Sequence, residues 1–166
     1  MRIVEYDREK AVYYAKTWAF NRNPNYYDFS LLGGDCTNFL SQCLYFGSNQ
    51  MNFTRNVGWY YKSINDRTPS WTGVNFFYDF IMGNKNKIGN GLGPFGELVD
   101  ISDVEVGDFI QLGNSEKGFY HGVIVTSFDE KTPLTSSHSF DSFNRNIFSY
   151  SFEFFRCIKI LGVRKT

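Results

Sequence analysis

An α+β fold, with N-terminal helices packed on an antiparallel β-sheet, follows from three observations. Apolar residues in the first half of the chain recur at helical spacing. From about residue 98 onward the chain breaks into short β-branched and aromatic runs divided by turn residues. No linker separates these halves, so the 166 residues read as one domain over 1–166, long enough to bury a core.

The elements follow in order. Asp7 precedes Ala11, Tyr14, Ala15, Trp18 and Ala19, the pattern of a capped amphipathic helix. NRNPNYYDFSLLGG, residues 21–34, is a loop by its Asn, Pro and Gly content. A second helix begins near Cys36 and ends at Gly47, with Phe39, Leu40, Cys43 and Leu44 as its buried stripe. Ser70 is expected to cap a third, presenting Val74, Phe77, Tyr78 and Ile81 on one face. The glycine-rich KNKIGNGLGPFGE, residues 85–97, is expected to be irregular. DFIQLG, YHGVIVTSF, PLTSSHSF and IFSYSFEFFRCIKILGV then supply the strands.

Composition removes several function classes. Lys and Arg balance Asp and Glu at 17 each with no basic block, which argues against a nucleic-acid partner. No stretch approaches a membrane span, and the first thirty residues lack a signal-peptide pattern. An intracellular protein, or one domain of a longer exported protein, is the expectation. Cys36, Cys43 and Cys157 are an odd count without a CxxC pair, which argues against a disulfide framework and a cysteine-rich zinc site. Eighteen Phe, 11 Tyr and 3 Trp are more rings than one core encloses. Trp59, Tyr60, Tyr61 and Trp71 therefore read either as the wall of a substrate groove or as core.

Cys36 is the first specific feature. It stands at a helix entrance behind Gly33 and Gly34, whereas Cys43 lies on the buried stripe as a small core hydrophobe. Free N–H groups and the helix dipole favour an anion there, so the expectation is a thiol more acidic than the usual value of about 8.5. A thiol nucleophile needs a base, and the chain has two histidines. If 121–128 and 131–140 form a hairpin with a two-residue loop at 129–130, His121 faces His138 directly. A four-residue loop at 129–132 places His138 diagonally. Either way the rings share a sheet face, whereas Asp141 would need a bulge to join them.

The roles expected on this basis are Cys36 as nucleophile, His121 as base and His138 as the residue that orients the His121 ring. The Cys36 N–H is an oxyanion donor, and a hydroxyl of Tyr26 or Tyr27 is a candidate for the second. Asp35 either holds the loop, tunes the thiol or simply caps the helix. Asp141, Asn144 and Arg145 line the cleft or form a solvated turn.

AFNRNPNYYDFSLLGGDCTNFLSQCLYFG, WYY, SWTGVNFFYDF, VGDFIQLG, YHGVIVT and HSFDSFNR, in that order, resemble the bacterial Putative amidase domain family. That family is similar to the NlpC-type and CHAP cell-wall hydrolases of the papain-like fold. The resemblance implies a catalytic cysteine at a helix start, at Cys36 of the Asp35-Cys36 pair. It also implies a strand-opening histidine at His121 and a third polar residue on the next strand, at His138. DCTNF replaces the DCSGF of those hydrolases, with Asn38 in the glycine's place. The expected activity is a cysteine-dependent amidase or peptidase needing no cofactor, acting on peptidoglycan peptides or related amides. The competing readings are a thiol acyltransferase, a zinc site at Cys36, His121 and His138, and a non-catalytic peptide- or glycan-binding module.

Overall fold

The computed structural model describes residues 1–166 as four helices against a seven-stranded antiparallel sheet, with a separate two-stranded ribbon. Strand β1 (Arg2–Val4) leads into α1 (Arg8–Trp18), whose first turn is capped by the Asp7 side chain accepting from the Lys10 N–H. Helix α2 (Cys36–Ser48) ends where Asn49 takes a left-handed conformation. The ribbon β2 (Tyr61–Ser63) and β3 (Asp66–Arg67) precedes a single turn, α3 (Pro69–Thr72), and α4 (Val74–Asn84). The sheet is completed by β4 (Gly93–Val99), β5 (Phe109–Asn114), β6 (Gly118–Asp129), β7 (Thr132–Ser137), β8 (Ser142–Asn146) and β9 (Phe154–Lys165).

The sheet runs β1-β9-β5-β6-β7-β8, with β4 also pairing with β9. Both chain ends therefore meet on one strand, Arg2 opposite Lys165. The larger core lies between the helices and the sheet. Phe39, Leu40, Cys43 and Leu44 of α2 pack there with Ile124 of β6 and Ile158 of β9, all fully shielded from water. A smaller cluster, with Leu112, Val123, Val125 and Cys157, covers the opposite face. Alternation along β6 assigns the faces: Ile124 points to the helices, Val123 and Val125 away from them.

Several local expectations change. Ser70 caps nothing; its hydroxyl donates to the Gly58 carbonyl, and Gly73 precedes α4 instead. The glycine-rich stretch is irregular only to Leu92, because β4 begins at Gly93. Strands β1 and β8 form where alternation gives no signal, since edge pairing to β9 and β7 supplies their hydrogen bonds. Trp59 and Trp71 are core, with rings stacked at 4.8 Å, and Tyr61 packs against Trp71. No helix is long and apolar enough to cross a membrane.

The β6–β7 hairpin decides the placement of the histidines. Its two-residue turn is 130–131, with Asp129 opposite Thr132. Between Val125 and Ser127 the register slips by one residue, a bulge that carries Ile124 opposite Ser136. A one-residue slip exchanges the faces of everything beyond it. His138, immediately after β7, thus belongs with the helix face, and His121 with the other.

Candidate active site

Cys36 occupies the first position of α2. The turn before it passes through Gly33 and Gly34, both at positive φ (87° and 99°), a conformation that costs glycine nothing. The helix lies close on β6, because a Cβ on Gly122 would come within 2.7 Å of the Leu40 side chain. That glycine lets the helix start reach the strand beside His121. Cys36 and His121 consequently line one cavity of about 510 Å³, shared with Leu112, Tyr120, Arg145 and Tyr150. Both residues are 8% exposed.

Protonation of this pair departs from the expectation. The Cys36 thiol is pushed above its ordinary range, chiefly by burial, with Asp35 adding to the shift. The Gly122 N–H and the Thr37 hydroxyl and N–H oppose it without overcoming it. Burial thus favours the thiol over the thiolate, against the expectation from the helix start. The His121 pKa is lowered from 6.5 to about 4, first by burial and then by the charge of Arg145. Both shifts favour the uncharged forms at neutral pH, a thiol and a neutral imidazole in one cavity. His121 Nε2 is buried with no hydrogen-bond partner, and its ring lies 5.6 Å from that of Tyr150.

His138 is held elsewhere. Its Nδ1 lies 2.5 Å from Asp35 Oδ2, and its Nε2 donates to the Trp18 carbonyl at 2.8 Å. Its ring stacks on Phe39 with centroids 4.0 Å apart. Both nitrogens are committed, so the expected bond orienting His121 is not made; the β6 bulge and the end of β7 turn His138 towards the helices. The same geometry dismantles the alternative zinc site at Cys36, His121 and His138. No three His, Cys, Asp or Glu side chains are arranged to hold a metal ion.

Asp35 is fully buried and does not cap α2 with its side chain. Its Oδ1 accepts from the Phe29 N–H and from Asn38, while Oδ2 faces His138. It ties the loop before the helix to the turn after β7. Asn38, the departure from the hydrolase motif, is fully used: its amide donates to Asp35 and the Tyr27 carbonyl, and its oxygen accepts from the Trp71 indole.

The remaining candidates separate cleanly. Tyr26 stacks on Trp71 and packs against Tyr61, and Tyr27 packs edge-on to Phe29. Neither lines the cavity, so neither is placed to supply an oxyanion donor. Asp141 accepts two hydrogen bonds from Arg22, at 2.9 and 3.1 Å, which clasp the turn after β7 to the loop after α1. Asn144 accepts from the Thr126 and Ser127 hydroxyls at the bulge. Arg145 does line the cavity, with its guanidinium 3.8 Å above the Tyr150 ring. Tyr120 and Tyr150 were not singled out by sequence reasoning. They lie in turn-flanked aromatic runs indistinguishable from core-forming ones.

Residues 5–155 match the Putative amidase domain family. The uncharacterized protein YhbB of Bacillus subtilis (strain 168) is 32% identical over 144 residues, covering 85% of this chain and 44% of YhbB. The chain thus spans less than half the length of the curated relative it matches. No solved structure matches it. The family match takes in α2 with Cys36, β6 with His121 and the turn with His138, the segments that build and brace the cavity. On that coverage the chain belongs to the Putative amidase domain family.

Proposed function

We propose that the protein is a cysteine-dependent amide hydrolase of papain-like, NlpC-related type, in which Cys36 and His121 carry the chemistry. The observation that carries this reading is the meeting of a helix-entrance thiol and a partnerless imidazole in one cavity. Membership of an amidase-domain family supplies the bond class. Peptides and related amides, peptidoglycan stem peptides among them, are the substrate class.

Because both groups rest neutral, the proton moves during attack and not before it. His121 takes the Cys36 proton as the sulfur adds to the amide carbonyl, much as a histidine base serves a serine hydroxyl. The Cys36 N–H, in the first turn of α2 and without an intrahelical acceptor, stabilises the developing oxyanion. The imidazolium then gives its proton to the departing amine, leaving a thioester. Water, deprotonated by the same imidazole, hydrolyses that thioester and regenerates both groups. His138 and Asp35 brace the fold beside the site by tying the loop before Cys36 to the turn after β7.

The test is amine release from peptidoglycan fragments and small amides by wild type and Cys36→Ala. Turnover that falls by several orders of magnitude in a folded Cys36→Ala variant supports the reading. Turnover that survives overturns it. A competing amine acceptor in the same assay separates hydrolysis from acyl transfer by the product formed.

A further inference from the structure

We propose that Arg145 is a specificity-determining residue, and that the cavity takes an amide substrate carrying a carboxylate within about three residues of the scissile bond. This inference deepens the hydrolase reading above and rests on it.

Arg145 is the only formally charged side chain at neutral pH among the residues lining the cavity. The nearby carboxylates are committed elsewhere: Asp35 to His138, Phe29 and Asn38, and Asp141 to Arg22. Arg145 itself makes no ion pair with any acid, in contrast to Arg22, which lies within 4 Å of three. It is nevertheless immobilised. Its Nε donates to the Ser149 hydroxyl at 2.8 Å, one Nη donates to the Ser149 carbonyl at 3.1 Å, and its plane lies on Tyr150. Tyr150 is anchored in turn, its hydroxyl within hydrogen-bond distance of Ser137 and Ser142. The second Nη makes no hydrogen bond to the protein and is left for a ligand. A guanidinium pinned on one edge and open on the other is a pre-organised carboxylate receptor, because the cost of ordering the long side chain is met in the unliganded protein.

The reach follows from the stacking. Arg145 lies 3.8 Å from Tyr150, and Tyr150 lies 5.6 Å from His121. Both distances are taken to the Tyr150 ring, so Arg145 lies no more than about 9 Å from His121. An extended residue spans about 3.3–3.6 Å, so a carboxylate at Arg145 stands within about three residues of a carbonyl beside His121. A second cation stands near this wall, Lys117, 5.6 Å over the ring of Tyr120. An anion at Arg145 also offsets the charge that depresses His121, so the substrate itself would restore basicity to the catalytic imidazole.

Two matched ligands test the proposal: N-acetyl-alanyl-glutamate with its two carboxylates, and the same dipeptide with both converted to primary amides. Binding is measured calorimetrically on Cys36→Ala protein, so the result does not depend on turnover. The carboxylate form should bind about tenfold or more tightly than the diamide, in line with a charge-assisted hydrogen bond at a partly exposed site. Arg145→Gln should bring that ratio to about one, while Arg145→Lys keeps part of it and Lys117→Gln most of it. NMR titration of His121 should show its pKa rising with the carboxylate ligand only. Equal binding of both ligands, no binding of either, or a ratio unchanged by Arg145→Gln overturns the proposal. Failure of the hydrolase reading shows separately, as turnover retained by Cys36→Ala.

Discussion

The two histidines occupy similar sequence settings, strand-flanked and 17 residues apart, yet their surroundings are opposite. His138 is enclosed, stacked on Phe39 and bonded through both nitrogens, one to a buried carboxylate and one to a carbonyl. His121 is nearly as buried, but its Nε2 has no partner and its neighbours raise the cost of protonating it. A satisfied polar group braces a fold; a buried unsatisfied one costs stability and persists where chemistry uses it. The difference separates the two kinds of histidine better than proximity to Cys36 does.

The sharpest way to break the comparison is to remove each member in turn. Cys36→Ala and Cys36→Ser should lower amide turnover by several orders of magnitude, and His121→Leu by roughly 10²–10⁴-fold, the usual share of a general base. The same His121→Leu protein should melt within a few degrees of wild type, because it deletes a buried nitrogen that makes no bond. If His121→Leu retains full turnover, the assignment of roles fails.

His138→Ala should do the reverse. It strips Asp35 of its buried partner and opens a void against Phe39, at a cost of about 3–5 kcal/mol, read from urea unfolding. Activity should fall with the folded fraction and recover in conditions that restore folding.

The acid response of His121 provides a third test. Its folded pKa of about 4 lies below the ordinary 6.5, so the unfolded chain takes up a proton that the native protein refuses between those values. Stability is therefore unaffected by this group above about pH 6.5 and is lost as pH falls towards 4, by roughly 2–3 kcal/mol. His121→Leu should flatten that part of the pH–stability curve relative to wild type. In turnover, the acid limb of kcat/KM should lie near pH 4 rather than near 6.5.

Iodoacetamide sharpens the picture at Cys36. Among three buried thiols only Cys36 lines the cavity, so it should alkylate first in the native protein. Its rate should keep climbing above pH 9, because burial holds the thiol protonated. A rate already saturated at pH 7 would mean the helix dipole prevails after all. The smallest effect belongs to Asp141→Ala, which removes a part-exposed ion pair with Arg22 and should cost no more than about 1 kcal/mol.

Much of the architecture was legible along the chain because its causes are local. Asp7 caps α1 through a residue three positions on, and the α2 stripe needs only the helical repeat. Cys36 stood out for the same reason, its glycine turn and helix start being consecutive. Strand β8 was not legible, since SFNRN carries no alternation and depends on Leu134 and Thr135 across the edge. The His121–His138 pairing was misread for a more instructive reason. Hairpin parity was sound up to Thr126, where one extra residue between Val125 and Ser127 turned the remainder of the hairpin over.

By itself the sequence determined the α+β class, the helix that begins at Cys36 and the strand that carries His121, on which the proposed thiol–imidazole chemistry rests. These rest on periodicity, caps and residue type, which act over a few positions. Only the tertiary structure decided the partners of the buried polar groups: Asp35 with His138 across 103 positions, Arg22 with Asp141 across 119, and Arg145 laid on Tyr150 at the cavity. It also decided that the Cys36 environment favours the thiol, because desolvation depends on how deeply the folded chain covers a group, and no local pattern records that depth.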